Sequence, residues 1–155
     1  SEMCIRDRVC GELVMAGPPE FQERAYGTSG LKKKYDCSFK SFQPINDGGG
    51  PLTVQALTKG DAQVADIFTT TPAIKDQKLV VLEDPKDNFI AQQVLPLTAP
   101  DRLPQKAVDA LNEFSSKLTT EDLIDLNRKV SGDEQQNPAD AAKQWLGDHG
   151  YDKAS

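Results

Sequence analysis

The sequence is poor in the residues that build metal centres and catalytic sites. It contains one histidine, His149, and three cysteines, Cys4, Cys10 and Cys37, none of which has the CxxC spacing of zinc ligands. It also lacks a GxSxG nucleophile motif and a phosphate-binding loop of the GxxxxGK type. We therefore predict that the chain is not an enzyme and uses neither a metal nor another cofactor.

The sequence also lacks a long apolar stretch and an excess of basic residues, and these two absences limit the kinds of partner that the chain can have. No stretch approaches the roughly 20 consecutive apolar residues that a membrane-spanning helix requires. The 18 basic residues are outnumbered by 24 acidic ones, which gives a net charge of −6, and the only basic run is at residues 32–34. Such a chain has no positive surface for a phosphate backbone, so we expect no nucleic-acid partner.

The first ten residues do not have the sequence pattern of a folded domain. The opening SEMCIRDRVC mixes charges and has neither an apolar core nor a usable period, so it is not a signal peptide. We interpret residues 1–10 as a leader that is foreign to the domain. Because Cys4 and Cys10 lie in it, the cysteine count says little about the redox compartment. We interpret Cys37 as a small buried hydrophobic residue at the start of a strand, with a disulfide as the alternative.

Strands and helices alternate in the first part of the chain. Apolar runs predict strands at residues 12–16, 37–45 and 62–68, and the clearest strand at residues 79–82. Capping signals predict helices at residues 31–35 and 51–59, the second of which is closed by Gly60. This alternation indicates an α/β architecture.

The last third has three apolar stripes at helical spacing. The first helix begins at Pro104, the second is capped by Thr119 or Thr120, and the third runs over residues 138–146 with Asn137 as its cap. Amphipathic helices of this kind need a sheet or a bundle to cover. Too few strands precede them, which suggests that part of the sheet lies outside the chain.

Five blocks of sequence, in this order, are recognisable: PPEFQERAYGTSGLKKKYD, GGGPLTVQALTKGDAQVADIFTTT, LVVLEDPKDNF, SSKLTTEDLIDLNRKV and AAKQWLGDHG. Together they resemble the substrate-binding proteins of ABC importers for glycine betaine, choline and carnitine. The resemblance covers residues 11–150 and is to the second half of such a protein.

The resemblance implies a two-lobed, periplasmic-binding-protein-like α/β fold of type II, incomplete at the N-terminus, which closes on its ligand like a hinge. Residues 11–68 would be the remaining part of the second lobe and residues 69–72 the hinge crossover. Residues 73–150 would be the C-terminal part of the first lobe, and residues 151–155 a tail.

The chemistry of such a ligand determines the side chains to look for. A quaternary ammonium donates no hydrogen bond and is bound by aromatic faces, whereas a carboxylate is bound by a guanidinium. The resemblance places Arg24 at the position that clamps the ligand carboxylate. Glu20 beside it would orient Arg24 or face solvent. From the residues alone, Arg24 could also pair with a surface acid.

Three further positions follow from the resemblance. Phe68 matches a cage tyrosine and keeps a π face, the alternative being a core residue of a buried strand. Thr70 would hydrogen-bond the ligand or cap the turn at Pro72. Gln92 stands where the betaine-specific branch usually has a cage tyrosine, which implies weaker glycine betaine binding or a different cationic or zwitterionic solute. Tyr26 could compensate for it, or be a surface residue of a turn.

The function implied is extracytoplasmic binding of a quaternary-amine osmoprotectant, such as glycine betaine or choline, and its delivery to the permease subunits of an ABC importer. The location implied is the periplasmic or outer face of the cell membrane, with membrane contact only through the transporter or an anchor outside this chain. The alternatives are a binding protein for another small zwitterionic or amino-acid-like solute, a binding domain fused to the permease, and an interaction module that uses the C-terminal helices.

Overall fold

The computed structural model describes residues 9–99, 102–132 and 134–151, so residues 1–8 of the predicted leader and residues 152–155 of the predicted tail lie outside the described residues. The chain divides into two compact units, Ser1–Ala91 and Gln92–Ser155. We call them the first and second unit and describe each by itself.

The first unit is built on a parallel sheet of three short strands. These are β1 (Val14–Gly17), β2 (Ser41–Pro44) and β3 (Val64–Ala65), in the spatial order β2-β1-β3. In register, Met15 lies opposite both Phe42 and Val64. Strands are confirmed at all three predicted places, although β2 and β3 are shorter than predicted. Because all three run in one direction, their carboxyl ends share one edge of the sheet.

Three helices complete the first unit: α1 (Thr28–Tyr35), α2 (Pro51–Lys59) and the short α3 (Ala73–Asp76). The start of α2 is fixed by Asp47, whose Oδ2 accepts hydrogen bonds from the backbone N–H groups of Leu52 at 2.7 Å and Thr53 at 3.0 Å. It ends at Gly60, which has φ +82° and so occupies the left-handed conformation that glycine tolerates. Both predicted helices of this region are confirmed.

A disulfide joins Cys10 to Cys37 inside the core of the first unit. The two Cα atoms are 5.4 Å apart and the residues are 27 positions apart in sequence. The interpretation of Cys37 as an unbonded hydrophobic residue is therefore wrong: Cys37 is buried, but it is bonded to Cys10. The sequence does not indicate this pair, because Cys10 lies in the predicted leader. In the structure a short 3-10 helix, Cys10–Glu12, buries Cys10 in this core.

The predicted strand at residues 79–82 is wrong. These residues are irregular, and Val80 and Val81 are 70% and 61% exposed. A strand exists only where a neighbouring strand pairs with its backbone, and within the described part of the chain no strand lies beside residues 79–82. The apolar run indicates β propensity, but propensity alone does not form a strand.

The second unit is helical. It contains α4 (Gln105–Lys117), α5 (Thr120–Ser131) and α6 (Pro138–Asp148), which confirms the three predicted amphipathic helices. Thr119 caps α5 in a reciprocal capping box with Asp122, and the side chain of Asn137 accepts a hydrogen bond from the N–H of Ala139 at the start of α6. Local capping chemistry thus sets where these helices begin.

Candidate functional site

The loops that leave the three parallel strands meet at one edge of the sheet. Residues 18–26 follow β1, residues 45–50 follow β2, and residues 66–71 follow β3. In open α/β sheets ligands bind outside the carboxyl ends of the strands, because several loops converge there. Four of the five site residues expected from the sequence, Glu20, Arg24, Phe68 and Thr70, lie in these loops.

The loop after β1 carries Glu20 and Arg24 on one turn. It opens with a 3-10 helix, Pro19–Gln22, and the backbone N–H of Arg24 donates to the carbonyl of Glu20 at 3.1 Å. Phe21, between them, is only 1% exposed and anchors the loop in the core. Both charged side chains are exposed beside this anchor.

Arg24 is held by an aromatic neighbour. Its Nη1 donates a hydrogen bond to the hydroxyl of Tyr26 at 2.7 Å, and its guanidinium carbon lies 5.6 Å from the centre of the Tyr26 ring. No ion pair joins Glu20 to Arg24 among the residues that the structure describes. The guanidinium therefore keeps most of its donors available on an exposed face, which suits an incoming carboxylate.

Tyr26 belongs to an aromatic cluster made of Phe21, Tyr26, Phe42 and Phe89. The Tyr26 ring centre lies 6.3 Å from that of Phe21 and 5.9 Å from that of Phe89, while Phe42 lies 6.4 Å from Phe21. Rings at these separations attract one another edge to face or offset. Sequence reasoning missed Phe89, although an aromatic residue at the end of the recognisable block LVVLEDPKDNF was a signal for it.

Phe89 reaches the cluster because residues 84–89 are fastened to the first unit. Asp84 bonds to the Tyr35 hydroxyl and accepts from the N–H of Phe89 at 2.7 Å. Asn88, which is 5% exposed, donates to the carbonyl of Tyr26 at 2.6 Å. A Cβ at Gly30 would lie 2.6 Å from Asn88 Oδ1, so only glycine leaves room for this contact. The segment therefore positions Phe89 and Tyr26 together.

Asp66, directly after β3, is a second residue that sequence reasoning did not assign to the site. Its side chain is half-buried beside Gly17 and Phe42, since a Cβ placed on Gly17 would lie 3.2 Å from Asp66 Cβ and 3.6 Å from the Phe42 ring. Burial raises the pKa of this carboxyl group, and the positive charge of Arg24 partly offsets the rise. Asp66 therefore lies within the electrostatic field of Arg24.

Phe68 and Thr70 continue the same loop. Phe68 is 57% exposed, so its ring lies at the surface and not in the core. Thr70 is half-buried. The backbone before Phe68 is approached by the glycine loop after β2: a Cβ on Gly49, which has φ +76°, would lie 2.9 Å from Ile67 Cα. Glycine at position 49 thus allows the loops after β2 and β3 to touch.

Gln92 is not in the first unit. It is the first residue of the second unit and lies exposed in an irregular segment before α4. The four other expected site residues share the first unit, so the structure brings Glu20 and Arg24 onto one turn and Phe68 and Thr70 onto one loop, and leaves Gln92 outside both.

Among the described residues, no group of three or more histidine, cysteine, aspartate and glutamate side chains is arranged to hold a metal ion. Within the same ranges no helix combines the length and the apolar character needed to cross a bilayer.

The chain belongs to a known family of binding domains. The family model for the substrate-binding domain of the ABC-type glycine betaine transport system matches residues 6–148, a match that begins inside the predicted leader. The chain thus belongs to the family of ABC-transporter substrate-binding domains, which is one of binding proteins and not of enzymes.

Solved structures show the fold. A glycine betaine/carnitine/choline ABC transporter structure matches 93% of this chain with a TM-score of 0.68 and 25% identity. Apo YehZ from Escherichia coli matches 96% with a TM-score of 0.59 and 18% identity. The chain therefore has the α/β fold of periplasmic binding proteins, as the sequence predicts, and it spans 52% and 56% of the lengths of these two structures.

A curated relative carries a different ligand in its name. The ergothioneine transport permease/ergothioneine binding protein EgtU of Helicobacter pylori (strain G27) is 29% identical over 130 residues. That match covers 82% of this chain and 23% of the relative. The ligands in the names of these relatives thus include both glycine betaine and ergothioneine.

Proposed function

We propose that this chain supplies one side of the ligand site of an extracytoplasmic substrate-binding protein, which captures a zwitterionic quaternary amine and delivers it to the permease of an ABC importer. Family membership supports the binding role. The ligands in the relatives' names support the chemical class, because glycine betaine, carnitine and ergothioneine all combine a trimethylammonium group with a carboxylate. Choline has the same cation without the carboxylate.

The observation that carries the proposal is Arg24 at the carboxyl edge of the sheet. An exposed guanidinium held from one side by the Tyr26 hydroxyl has donors left for a bidentate carboxylate. Glu20, one turn earlier, is exposed and orients Arg24 or faces solvent.

The trimethylammonium end needs aromatic faces. In the first unit, Tyr26, Phe68 and Phe89 are aromatic residues at the surface of the site region, and Thr70 offers a hydroxyl beside Phe68. By the resemblance, Gln92 stands where the betaine-specific branch usually has a cage tyrosine. We therefore expect Gln92→Tyr to raise the affinity for glycine betaine severalfold, as one added cation–π contact would.

The proposed lobe organisation follows the resemblance: residues 11–68 belong to the second lobe, residues 69–72 form the hinge crossover, and residues 73–150 return to the first lobe. Residues 84–89 nevertheless contact Tyr35 and Tyr26 within the first unit. On this proposal the segment that follows the hinge stays bound to the second lobe up to Phe89, which places Phe89 near the ligand.

A binding domain fused to its permease is the second candidate. The name of the Helicobacter pylori relative includes both a permease and a binding protein, and this chain covers 23% of it. In that arrangement the ligand chemistry is unchanged and the domain is anchored by its own chain. Mass spectrometry of the natural gene product, which measures its length, distinguishes a fused from a separate domain.

Calorimetric titration of the full-length natural protein tests the function. We expect glycine betaine, carnitine or ergothioneine to bind, and Arg24→Ala to weaken the carboxylate ligands by about a hundredfold while choline is little affected. Arg102→Ala, which removes an exposed guanidinium of the second unit, is the matched control and should change neither. Binding of a solute without a cationic group, with no binding of these four, would contradict the proposed class.

A further inference from the structure

We propose that the Asp66 carboxylate recognises the cationic group of the ligand, so that the site selects its substrate by a negative charge as well as by aromatic faces. The inference rests on the proposed function and extends it to a residue that had no role in the expected site. It makes Asp66 and Arg24 a pair of opposite charges that matches the two ends of a zwitterion.

The environment of Asp66 supports this role. Its side chain is half-buried, and its Cβ lies close to Gly17, which the ring of Phe42 also approaches. No side-chain or backbone N–H donates a hydrogen bond to it among residues 9–99, 102–132 and 134–151. A carboxylate that loses water without gaining a donor is costly, and such groups are concentrated where a ligand completes the set of partners.

The Asp66 carboxylate is kept at the expense of stability. Burial raises the pKa of Asp66 above its ordinary value, so the folded protein holds this proton more tightly than the unfolded chain. The folded state is therefore destabilised as the pH rises through that range, which is the opposite of a structural carboxylate. A residue that opposes folding at neutral pH requires another reason to be there, and ligand binding provides one.

The position of Asp66 also suits a ligand-binding role. Asp66 directly follows β3, and its backbone N–H still donates to the carbonyl of Ala16 on the central strand at 2.9 Å, which fixes it to the sheet edge. Arg24 is the charged group whose field reaches it. Among the described residues no ion pair forms between the two, and the guanidinium bonds to Tyr26 instead. Each charge thus remains available to a different end of one ligand.

The alternative role for Asp66 is that of a simple counter-charge to Arg24. The two roles predict opposite effects. If Asp66 binds the ligand cation, removing its charge weakens every cationic ligand. If Asp66 only competes with the ligand carboxylate for Arg24, removing its charge strengthens the binding of carboxylate ligands and leaves choline unchanged.

The test is calorimetric titration of the full-length protein with choline and with glycine betaine, in the wild type, Asp66→Asn and Arg24→Ala. We expect Asp66→Asn to weaken both ligands about tenfold and Arg24→Ala to weaken glycine betaine alone. Asp61→Asn, an exposed carboxylate of the same unit, is the control and should behave as wild type. The melting temperature of Asp66→Asn should be unchanged or higher, which excludes misfolding as the cause.

Two results would overturn the inference, and they are distinguishable. Unchanged or tighter glycine betaine binding by Asp66→Asn, in a wild type that binds both ligands, would make Asp66 a counter-charge and leave the proposed function standing. A wild type that binds none of glycine betaine, carnitine, ergothioneine and choline would remove the proposed function, and the role of Asp66 with it.

Discussion

The two units of the chain bury their apolar side chains to different extents. Of the described residues, ten apolar side chains of the first unit are buried, among them Met15, Phe21 and Leu31, whereas the second unit buries Ala141 and Trp145. In the second unit Leu95 and Leu97 are 72% and 99% exposed. The first unit is therefore organised around its own core, and the candidate site is fixed to that core through Phe21.

The second unit has well-defined helices but little apolar burial. Its helices have apolar stripes on one side, and α5 and α6 have side-chain caps, yet among the described residues of this unit no sheet lies beneath them. Local capping residues define where these helices begin, while few of the apolar side chains along their stripes are buried. We therefore expect substitutions in the first unit to cost much more stability than substitutions in the second.

The largest expected effect is that of Phe21→Ala. The ring is 1% exposed and contacts Tyr26, Phe42 and Phe89, so its loss should reduce the free energy of unfolding by about 3–5 kcal/mol. Phe68→Ala, at a ring that is 57% exposed, is the comparison and should weaken ligand binding with little change in stability. Hydrogen exchange resolved by peptide measures this, and equal losses for the two variants would contradict a core centred on Phe21.

The disulfide gives the next largest effect. Cys37→Ala opens a bond that links residues 27 positions apart, and the unfolded chain gains entropy, so we expect the first unit to lose about 3 kcal/mol. Cys10→Ala should cost about as much, and the double variant little more, because all three remove the same bond. Hydrogen exchange in the second unit should stay as it is. Protection lost equally in both units would show that their stabilities are coupled.

The starts of the helices could be predicted from the sequence, whereas the disulfide and the position of Phe89 could not. The starts of α2, α5 and α6 follow from Pro51, Thr119 and Asn137, because capping involves residues within a few positions of each other. The disulfide and the position of Phe89 depend on partners far along the chain, which periodicity does not report. For the same reason the apolar run at residues 79–82 indicated a strand that has no neighbour.

The candidate site also has a part that could be predicted from the sequence and a part that only the structure shows. Arg24 was found because its motif resembles that of a family, and the structure adds its partner, Tyr26, and its charged neighbour, Asp66. Asp66 carried no sequence signal beyond a carboxylate that follows an apolar run. Its importance lies in half-burial without a hydrogen-bond donor from any described residue, which is a property of the tertiary structure only.

A smaller effect is expected at the cap of α5. Thr119→Ala removes a hydroxyl that accepts from the N–H of Asp122 at 3.1 Å, and it should cost about 1 kcal/mol, seen as faster hydrogen exchange in the first turn of α5. Thr120→Ala, one residue later, is the matched control and should be nearly neutral. An equal cost at both positions would argue against the capping box.

The same cap has a pH dependence. The hydrogen bonds from the Thr119 side chain and backbone lower the pKa of Asp122 from 3.8 to about 2. Since this carboxyl group ionises more readily in the folded state, its contribution to stability is present above pH 3.8 and is lost as the pH falls towards 2. Thr119→Ala should therefore flatten the acid limb of the α5 unfolding curve, measured by circular dichroism, whereas Thr120→Ala should not.

The smallest effect concerns the one tryptophan and the one histidine of the chain. The His149 ring stacks on Trp145 with ring centres 3.9 Å apart, near the Asp122 carboxylate and the Lys117–Tyr151 contact. The imidazole ring covers one face of the indole, so His149→Ala should expose Trp145 to water and shift its fluorescence emission to longer wavelength, with a stability change below about 1 kcal/mol. His149→Phe keeps a ring over the indole, so it is the control and should leave the emission wavelength unchanged. An unchanged emission in His149→Ala would show that other side chains of the second unit cover Trp145.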